Sequence, residues 1–317
     1  MSNTHLVSIA SKSAIERRVQ DFKRRDDSVK SRVAPILKKF WDPQRPLISG
    51  ADTKGFDELA SRFPNFKPVI AYWKSVAMAS RRLEAPFLPD PVLLGGLPGL
   101  GKTYFASEAA KVMSLPFSEI SIATLTASFV ISGGSLQWGD GSPGFIAKSL
   151  AESDIGNPMV LMDEVDKAMQ GNYSPMGPFY PLLERHSAKR FRDEALDIEM
   201  DASNVIWVAT ANDIGNIPAP ILSRMKYFQI MPPAQDEMHV IVKNMYRLIR
   251  EKEAIGQLLD EVLPQKTMDL LTVLLPREAR KVLHEACMNA FLAERSTVTE
   301  EDVVMYEKPE RSRMGFL

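Results

Sequence analysis

The sequence predicts an α/β fold, in which a parallel β-sheet with helices on both faces is followed by a small α-helical domain. Strand candidates alternate with helical segments, and they occur at 92–95, 117–122, 158–162, 205–209 and 227–230. Parallel strands need a crossover between them, usually a helix, so this alternation favours a parallel sheet. After Pro232 and Pro233 the longer patterns are helical only, at 236–252, 266–274 and 276–294.

Two segments precede the first predicted strand. Residues 11–40 hold ten Lys and Arg residues against four acidic residues, with apolar residues at the spacing of one helical stripe. Pro35 is expected to end or kink that helix. Two interpretations stay open, a basic arm that grips a protein or nucleic acid and an ordinary amphipathic helix that packs on a neighbour. Residues 56–82 are predicted to be helical, with a break near Pro64 and Pro68.

These patterns divide the chain into four predicted parts. They are a basic amphipathic N-terminal arm at 1–45, an α/β nucleotide-binding domain at 46–232, a helical lid domain at 233–306 and a C-terminal tail at 307–317. A chain of 317 residues, 45% hydrophobic and 25% charged, suits a globular protein of about two domains.

Charge and cysteine content restrict the partners and the compartment. A formal net charge of −1 excludes binding to nucleic acid or membrane through the overall charge, although a local patch could still act. The single cysteine, Cys287, excludes an internal disulfide and indicates a reducing compartment. We see no secretory leader and no stretch near the roughly 18 apolar residues that span a bilayer. We therefore expect a cytoplasmic location and no membrane partner.

A glycine-rich loop lies directly after the first predicted strand and before a predicted helix. It reads Gly96-Leu97-Pro98-Gly99-Leu100-Gly101-Lys102-Thr103 and is followed by Tyr104. The glycines let the loop turn its backbone N–H groups around phosphates, and the helix directs its N-terminus at the same anion. We expect Lys102 to contact the β- and γ-phosphates of ATP and Thr103 to place its hydroxyl on Mg²⁺.

Polar side chains follow two later strands. The run Met159-Val160-Leu161-Met162 ends in Asp163 and Glu164, and the strand at 205–209 ends in Thr210-Ala211-Asn212. Ligands of parallel sheets bind at the carboxyl ends of the strands. We expect Asp163 to hold Mg²⁺ through water and Glu164 to polarise the attacking water. Asn212 could reach the γ-phosphate or that water, although such a residue alone more often completes a turn.

Taken together, these motifs resemble the AAA+ superfamily. The segments that carry the resemblance are Gly96–Thr103, Asp163–Lys167, Ala209–Asn212 and Ile217–Met225, and they are most similar to the ATPase module of Lon-type proteins. The resemblance covers about residues 92–305 and implies an AAA+ core that forms a homo-oligomeric, hexameric ring with ATP at subunit interfaces. It also implies that Arg224 is an arginine finger that reaches the neighbour's site, and that Arg280, or else Arg277, is a second sensor on the lid.

Two further segments resemble the loops that line the pore of Lon-like rings. Trp138 lies six residues before Gly144, where the resemblance places an aromatic ring that grips an extended polypeptide. The sequence departs from the family there, because tryptophan replaces the usual tyrosine and Gly139 replaces an aliphatic residue. A buried tryptophan in a glycine-rich turn is the alternative. The second segment begins at Phe191, and its basic neighbours could line a pore or form a solvated face.

The resemblance implies an ATP hydrolase that remodels or threads a protein, either alone or for a separately encoded enzyme. Lon-type proteins carry a serine–lysine protease domain after the lid, and this sequence ends at Leu317, so we expect no proteolysis. A nucleic-acid motor or loader is the alternative, supported by residues 11–40 and by a phosphate loop similar to that of the Holliday-junction branch-migration motor. A switch or scaffold needs neither Glu164 nor Arg224, and a simple phosphotransferase does not need Arg224, so both are weaker interpretations.

Overall fold

The structure is a computed structural model that describes residues 5–23, 27–49, 52–138, 141–168 and 175–305, with only the backbone at Trp138. The described chain falls into two compact units, Met1–Met231 and Pro232–Leu317. The predicted tail, 307–317, lies outside the described residues. None of the helices in the described ranges is long and apolar enough to cross a membrane.

The first unit holds strands and helices in alternation. Its strands are β1 (His5–Ser8), β2 (Gln44–Leu47), β3 (Val92–Gly95), β4 (Phe117–Ser121), β5 (Met159–Asp163), β6 (Phe191–Asp193), β7 (Ile198–Met200), β8 (Ile206–Ala211) and β9 (Lys226–Gln229). Its helices are α1 (Lys12–Lys23), α2 (Asp27–Lys39), α3 (Thr53–Arg62), α4 (Lys67–Arg82), α5 (Lys102–Val112), α6 (Phe129–Ser132), α7 (Phe145–Glu152), α8 (Phe179–Leu182), α9 (Arg185–Ala188) and α10 (Ala219–Leu222).

A five-stranded parallel sheet forms the centre of this unit, in the order β4-β5-β8-β3-β9. Every residue of β3 and β8 is buried, as the continuous apolar runs of their sequences require in a sheet covered on both faces. The predicted parallel sheet with helices is therefore confirmed. The sequence did not predict the two small antiparallel pairs, β1 with β2 and β6 with β7.

The N-terminal basic segment packs on the core of the first unit. The apolar stripe of α1 and α2 is buried in the same cluster as the sheet, through Ile15, Phe22, Val33 and Leu37. These helices therefore belong to the packed unit and do not project as an arm. Pro35 was expected to end or kink a helix. It does not end one, because it lies inside α2. One lost backbone hydrogen bond is offset there by the burial of Val33 and Leu37 on either side.

An aromatic cluster holds the helix that follows the phosphate loop. Phe66 stacks on Phe105 of α5 with ring centroids 4.1 Å apart, and Trp73 of α4 stacks on the same ring at 5.7 Å. The predicted break near Pro64 and Pro68 falls where α3 ends and α4 begins. Because aromatic pairs bury large areas in a fixed geometry, this cluster fixes the position of α5.

The second unit has helices and no strand in its described part, 232–305. Its helices are α11 (Gln235–Lys252), α12 (Gln265–Thr272) and α13 (Pro276–Leu292). They enclose a core that includes Val242, Leu271 and Leu283. A single 3₁₀ turn follows at Glu300–Asp302, where Thr299 and Asp302 form a capping box.

Candidate nucleotide site

Three motif-bearing segments meet at the carboxyl edge of the sheet. Gly95 at the end of β3 pairs with Ala211 at the end of β8, and Met162 of β5 pairs with Ala209 of β8. The backbone N–H of Gly96 donates to the carbonyl of Ala211 at 3.2 Å. The phosphate loop, the acidic pair and the Asn212 turn therefore start from neighbouring strands, as the sequence predicts.

Glycine is required by geometry at both ends of the loop. A Cβ at Gly96 would lie 2.3 Å from the carbonyl oxygen of Ile230, so no side chain fits there. Gly101 is the N-cap of α5 with φ of 86°, in the left-handed region that favours glycine. Between them Leu100 is buried, whereas Leu97 and Tyr104 are exposed beside the loop.

Lys102 connects the loop to the turn after β8. Its Nζ donates to the carbonyls of Gly96 at 2.7 Å and Leu97 at 3.0 Å, and to Oδ1 of Asn212 at 3.0 Å. The lysine is only 7% exposed, so its charge acts in a largely desolvated place. Two residues that are far apart in sequence and were predicted independently are thus in direct contact.

Asp163 is the centre of a hydroxyl network. Its Oδ1 accepts a hydrogen bond from Oγ1 of Thr103 at 2.9 Å and another from Oγ1 of Thr210. The same Thr210 oxygen accepts from the backbone N–H of Glu164 at 3.0 Å. The sequence analysis did not single out Thr210 as a site residue. A hydroxyl inside a strand that is otherwise apolar was the available signal, because buried polar groups need partners.

Glu164 has a left-handed backbone, with φ of 56°. A non-glycine residue in this conformation costs roughly 1–2 kcal/mol, and such strain gathers at functional sites. The turn that follows is held by Asp166, whose Oδ2 accepts from the N–H of Asp213 at 3.2 Å. Asp166 is buried, and its Oδ1 has no hydrogen-bond partner within the described ranges. This third acid was quoted only as part of a motif and was not given a role.

The residues present fit a magnesium-bound nucleotide. Thr103 and Asp163 bring a hydroxyl and a carboxylate oxygen together, and oxygen ligands of this kind suit Mg²⁺. Burial and, secondarily, the charge of Asp163 raise the pKa of Glu119 on the neighbouring strand β4. A divalent cation at this edge would offset the negative charge of Asp163.

Arg224 lies outside this network. Its Nη2 is 2.5 Å from Oε1 of Glu184, and its Nη1 donates to the carbonyl of Pro220 at 2.7 Å. Its side chain is 26% exposed. Arg277 and Arg280 lie on α13 in the second unit, so their role at the site stays a prediction.

The two segments that resemble pore loops are joined at their bases. Asp193 is fully buried and accepts backbone hydrogen bonds from Gly144 at 2.7 Å, Leu196 at 2.8 Å and Ala195 at 3.0 Å. Gly133 has φ of 83°, and a Cβ there would lie 2.6 Å from Oδ1 of Asp193. The carboxylate therefore fixes Gly144, and lies beside Gly133, at the hairpin of β6 and β7.

One of the predicted pore residues is wrong. Phe191 is only 8% exposed and belongs to the core cluster, because strand alternation turns Phe191 and Asp193 inward and Arg192 outward. The backbone of Trp138 lies in a 3₁₀ turn, Leu136–Trp138, and its side chain is outside the described atoms. Its proposed grip on a polypeptide stays a prediction.

In this arrangement a phosphate loop follows β3, acids follow β5 and an asparagine follows β8, the order of groups expected of a P-loop nucleotide site. Residues 92–233 match the family described as "ATPase family associated with various cellular activities (AAA)". Residues 92–233, which include the phosphate loop, Asp163 and Asn212, are therefore similar to AAA ATPase domains.

Known proteins of similar sequence include two bacterial Lon proteases. The chain is 34% identical over 171 residues to Lon protease of Salinispora arenicola, a match that covers 53% of this chain and 22% of that protein. It is 30% identical over 205 residues to Lon protease of Fusobacterium nucleatum, a match that covers 64% of this chain and 26% of that protein. The chain thus spans about a quarter or less of the length of these relatives.

The structure is also similar to a solved variant of RuvB from Thermotoga maritima. The TM-score is 0.54 at 15% sequence identity, and the match covers 74% of this chain and 67% of the RuvB chain. At this identity the likeness shows the shared AAA+ fold and no more.

Proposed function

We propose that this chain hydrolyses ATP at the interface between identical subunits of a ring, hexameric by resemblance, and uses the energy to remodel or thread a protein. The observation that carries the chemistry is the contact of Lys102 with Asn212 beside the Asp163 network. Together these contacts join the phosphate loop, the acidic pair and the Asn212 turn into one site. The interface is supported by the resemblance of Arg224 to an arginine finger. Within its own chain Arg224 contacts Glu184 and Pro220.

In this proposal each side chain has a separate task. The loop from Gly96 to Tyr104 surrounds the phosphates with backbone N–H groups, and Lys102 contributes a fixed positive charge. Thr103 and, through water, Asp163 hold Mg²⁺, which neutralises charge on the β- and γ-phosphates when bound. Arg280, or else Arg277, contacts the nucleotide from the lid.

Hydrolysis then depends on how the attacking water is held. Glu164 accepts its proton or polarises it, and the backbone hydrogen bond to Thr210 fixes the direction from which the carboxylate approaches. Asn212 orients either that water or the γ-phosphate. Arg224 of the neighbouring subunit stabilises the charge that develops in the transition state.

Complementation between two inactive variants tests the shared site. Lys102→Ala should lose nucleotide binding, and Arg224→Ala should bind ATP but hydrolyse it slowly. When the two are mixed, a Lys102→Ala subunit can still offer its Arg224 to a neighbour, so ATPase activity should reappear. Full activity of Arg224→Ala alone, or no recovery in mixtures shown to be co-assembled, would contradict a finger supplied in trans.

The threading step rests on the resemblance at Trp138. Trp138→Ala should abolish the remodelling of a partner protein and leave basal ATP hydrolysis unchanged. No proteolytic step is proposed, because the similarity to Lon proteases covers 26% or less of those proteins and the residues argued here perform nucleotide chemistry.

A nucleic-acid motor is the second candidate, favoured by the basic residues of α1. The charges of that surface are partly neutralised, since Arg18 lies 3.8 Å from Asp21 and 3.6 Å from Asp197. We therefore place this candidate second. If it is right, DNA should stimulate hydrolysis at low salt and lose this effect steeply as salt rises.

A further inference from the structure

The guanidinium of Arg224 is held by a carboxylate of its own chain. Glu184 lies between α8 and α9 and presents Oε1 to Arg224 at 2.5 Å, while its Oε2 accepts from Oγ of Ser187 at 3.4 Å. Its backbone carbonyl accepts the N–H of Ala188 at 2.9 Å. Besides the ion pair with Arg224, Glu184 therefore makes one contact through its carboxylate and one through its backbone.

Both terminal nitrogens of Arg224 contact groups of its own chain. Nη2 is engaged by Glu184, Nη1 donates to Pro220, and Nε is buried without a hydrogen-bond partner in the described structure. An arginine stabilises a phosphate only when its N–H groups are directed at the charge that develops. A carboxylate next to that charge would also oppose it, because like charges repel strongly where water is scarce.

We propose that Glu184 is an exchange partner for Arg224: it holds the guanidinium within its own subunit until a neighbour's nucleotide phosphate takes its place. This inference rests on the proposed role of Arg224 as a finger. The Glu184 and Arg224 side chains are 46% and 26% exposed, and ion pairs with this access to water are weak. The exchange is therefore easily reversible, and its release changes the rate of hydrolysis by roughly two- to fivefold.

The test is Glu184→Gln in the full chain at concentrations where the subunits are assembled. Glutamine keeps the shape and an acceptor oxygen but removes the charge, so the guanidinium of Arg224 should separate from residue 184 more readily. We expect kcat for ATP hydrolysis to rise by roughly two- to fivefold with KM for ATP unchanged, because the finger acts on the transition state. Glu184→Asp, which withdraws the carboxylate by one methylene, should also raise kcat and serves if the glutamine variant does not fold.

Two comparisons separate exchange from a general structural effect. Glu184→Gln should have no effect on kcat in an Arg224→Ala background, because the only route of its action is then gone. The matched control is Glu152→Gln, since Glu152 lies 3.5 Å from Lys39 in an ion pair of 60% and 47% exposure. That control should leave kcat as it is.

The outcomes distinguish this inference from the function it rests on. A lower or unchanged kcat in Glu184→Gln, with Arg224→Ala strongly impaired, would overturn the exchange and leave the shared site standing. The same rise in both backgrounds would also overturn it. Unimpaired hydrolysis by Arg224→Ala in assembled protein would overturn the finger and the exchange together.

Discussion

Replacing Thr210 by valine tests whether the buried hydroxyl, and not merely the shape of β8, positions the site. Valine matches the volume of threonine but removes the oxygen that donates to Asp163 and accepts from the N–H of Glu164. Thr210 is only 2% exposed, so water has little access to replace these bonds. A buried donor left without a partner costs about 1–3 kcal/mol, which is the expected loss in the free energy of unfolding.

The kinetic effect should be larger than this loss of stability suggests. Glu164 is in a left-handed conformation that the hydrogen bond to Thr210 helps to hold, so its carboxylate should move when the bond is lost. Misplacement of a catalytic group by about 1 Å costs up to roughly a hundredfold in rate, and we expect kcat to fall by about ten- to a hundredfold. KM for ATP should change little, because the phosphate loop is untouched.

Steady-state ATPase assays and urea unfolding of Thr210→Val measure both quantities. Thr210→Ser should restore most of the rate, because serine keeps the oxygen. Thr272→Val is the matched control, since Thr272 is 5% exposed and donates only to the carbonyl of Asp269 within its own helix. Normal kcat and stability in Thr210→Val would refute the view that this hydroxyl positions Glu164.

Three further predictions concern residues outside the nucleotide network. Gly133→Ala should destabilise the protein by more than about 1 kcal/mol in urea unfolding, because the left-handed backbone is strained and the new Cβ meets Asp193. Burial raises the pKa of Asp193 to about 6, so the folded state keeps a proton that the unfolded chain loses near its ordinary value of 3.8. The contribution of Asp193 to stability should therefore fall as the pH rises from about 4 to about 6, and Asp193→Asn, compared at pH 4.5 and 7, should lack this slope. Burial raises the pKa of the fully buried Cys287 to about 12, so an aromatic disulfide reagent at pH 8 should react with it only when denaturant unfolds the protein; rapid reaction with the native protein would contradict this.

The inner strands of the central sheet, β3, β5 and β8, were predictable because they are largely apolar runs bounded by turns. β3 and β8 are buried along their whole length, so their largely apolar composition is enough to predict a buried strand. The pairs β1 with β2 and β6 with β7 were not predicted, since strands of three or four residues give too short an alternation to recognise. The misjudged role of Phe191 has the same origin, because one residue of register decides whether a strand residue faces the core or the solvent.

The nucleotide motifs were predictable for a different reason, because phosphate binding needs particular residues at fixed spacing. The contacts between motifs were not, since they depend on which strands are neighbours. Thr210 contacts Asp163 only because β8 lies beside β5, and Glu184 contacts Arg224 only through the packing of α8 against α10. Such pairs have no signature in a single sequence.

The proposed site has two parts, the sheet edge and Arg224, and they differ in how rigidly their side chains are held. Glu164 and Asp163 are fixed by the register of buried strands and by Thr210, a hydroxyl that is itself buried. Arg224 is fixed only by a partly exposed ion pair and a local carbonyl. A strained backbone such as that of Glu164 persists only where its surroundings over-determine it, which a sheet edge can provide and a surface helix end cannot. Control by a neighbouring subunit should therefore act through Arg224 and Glu184, whereas changes at the sheet edge should alter the chemical step itself.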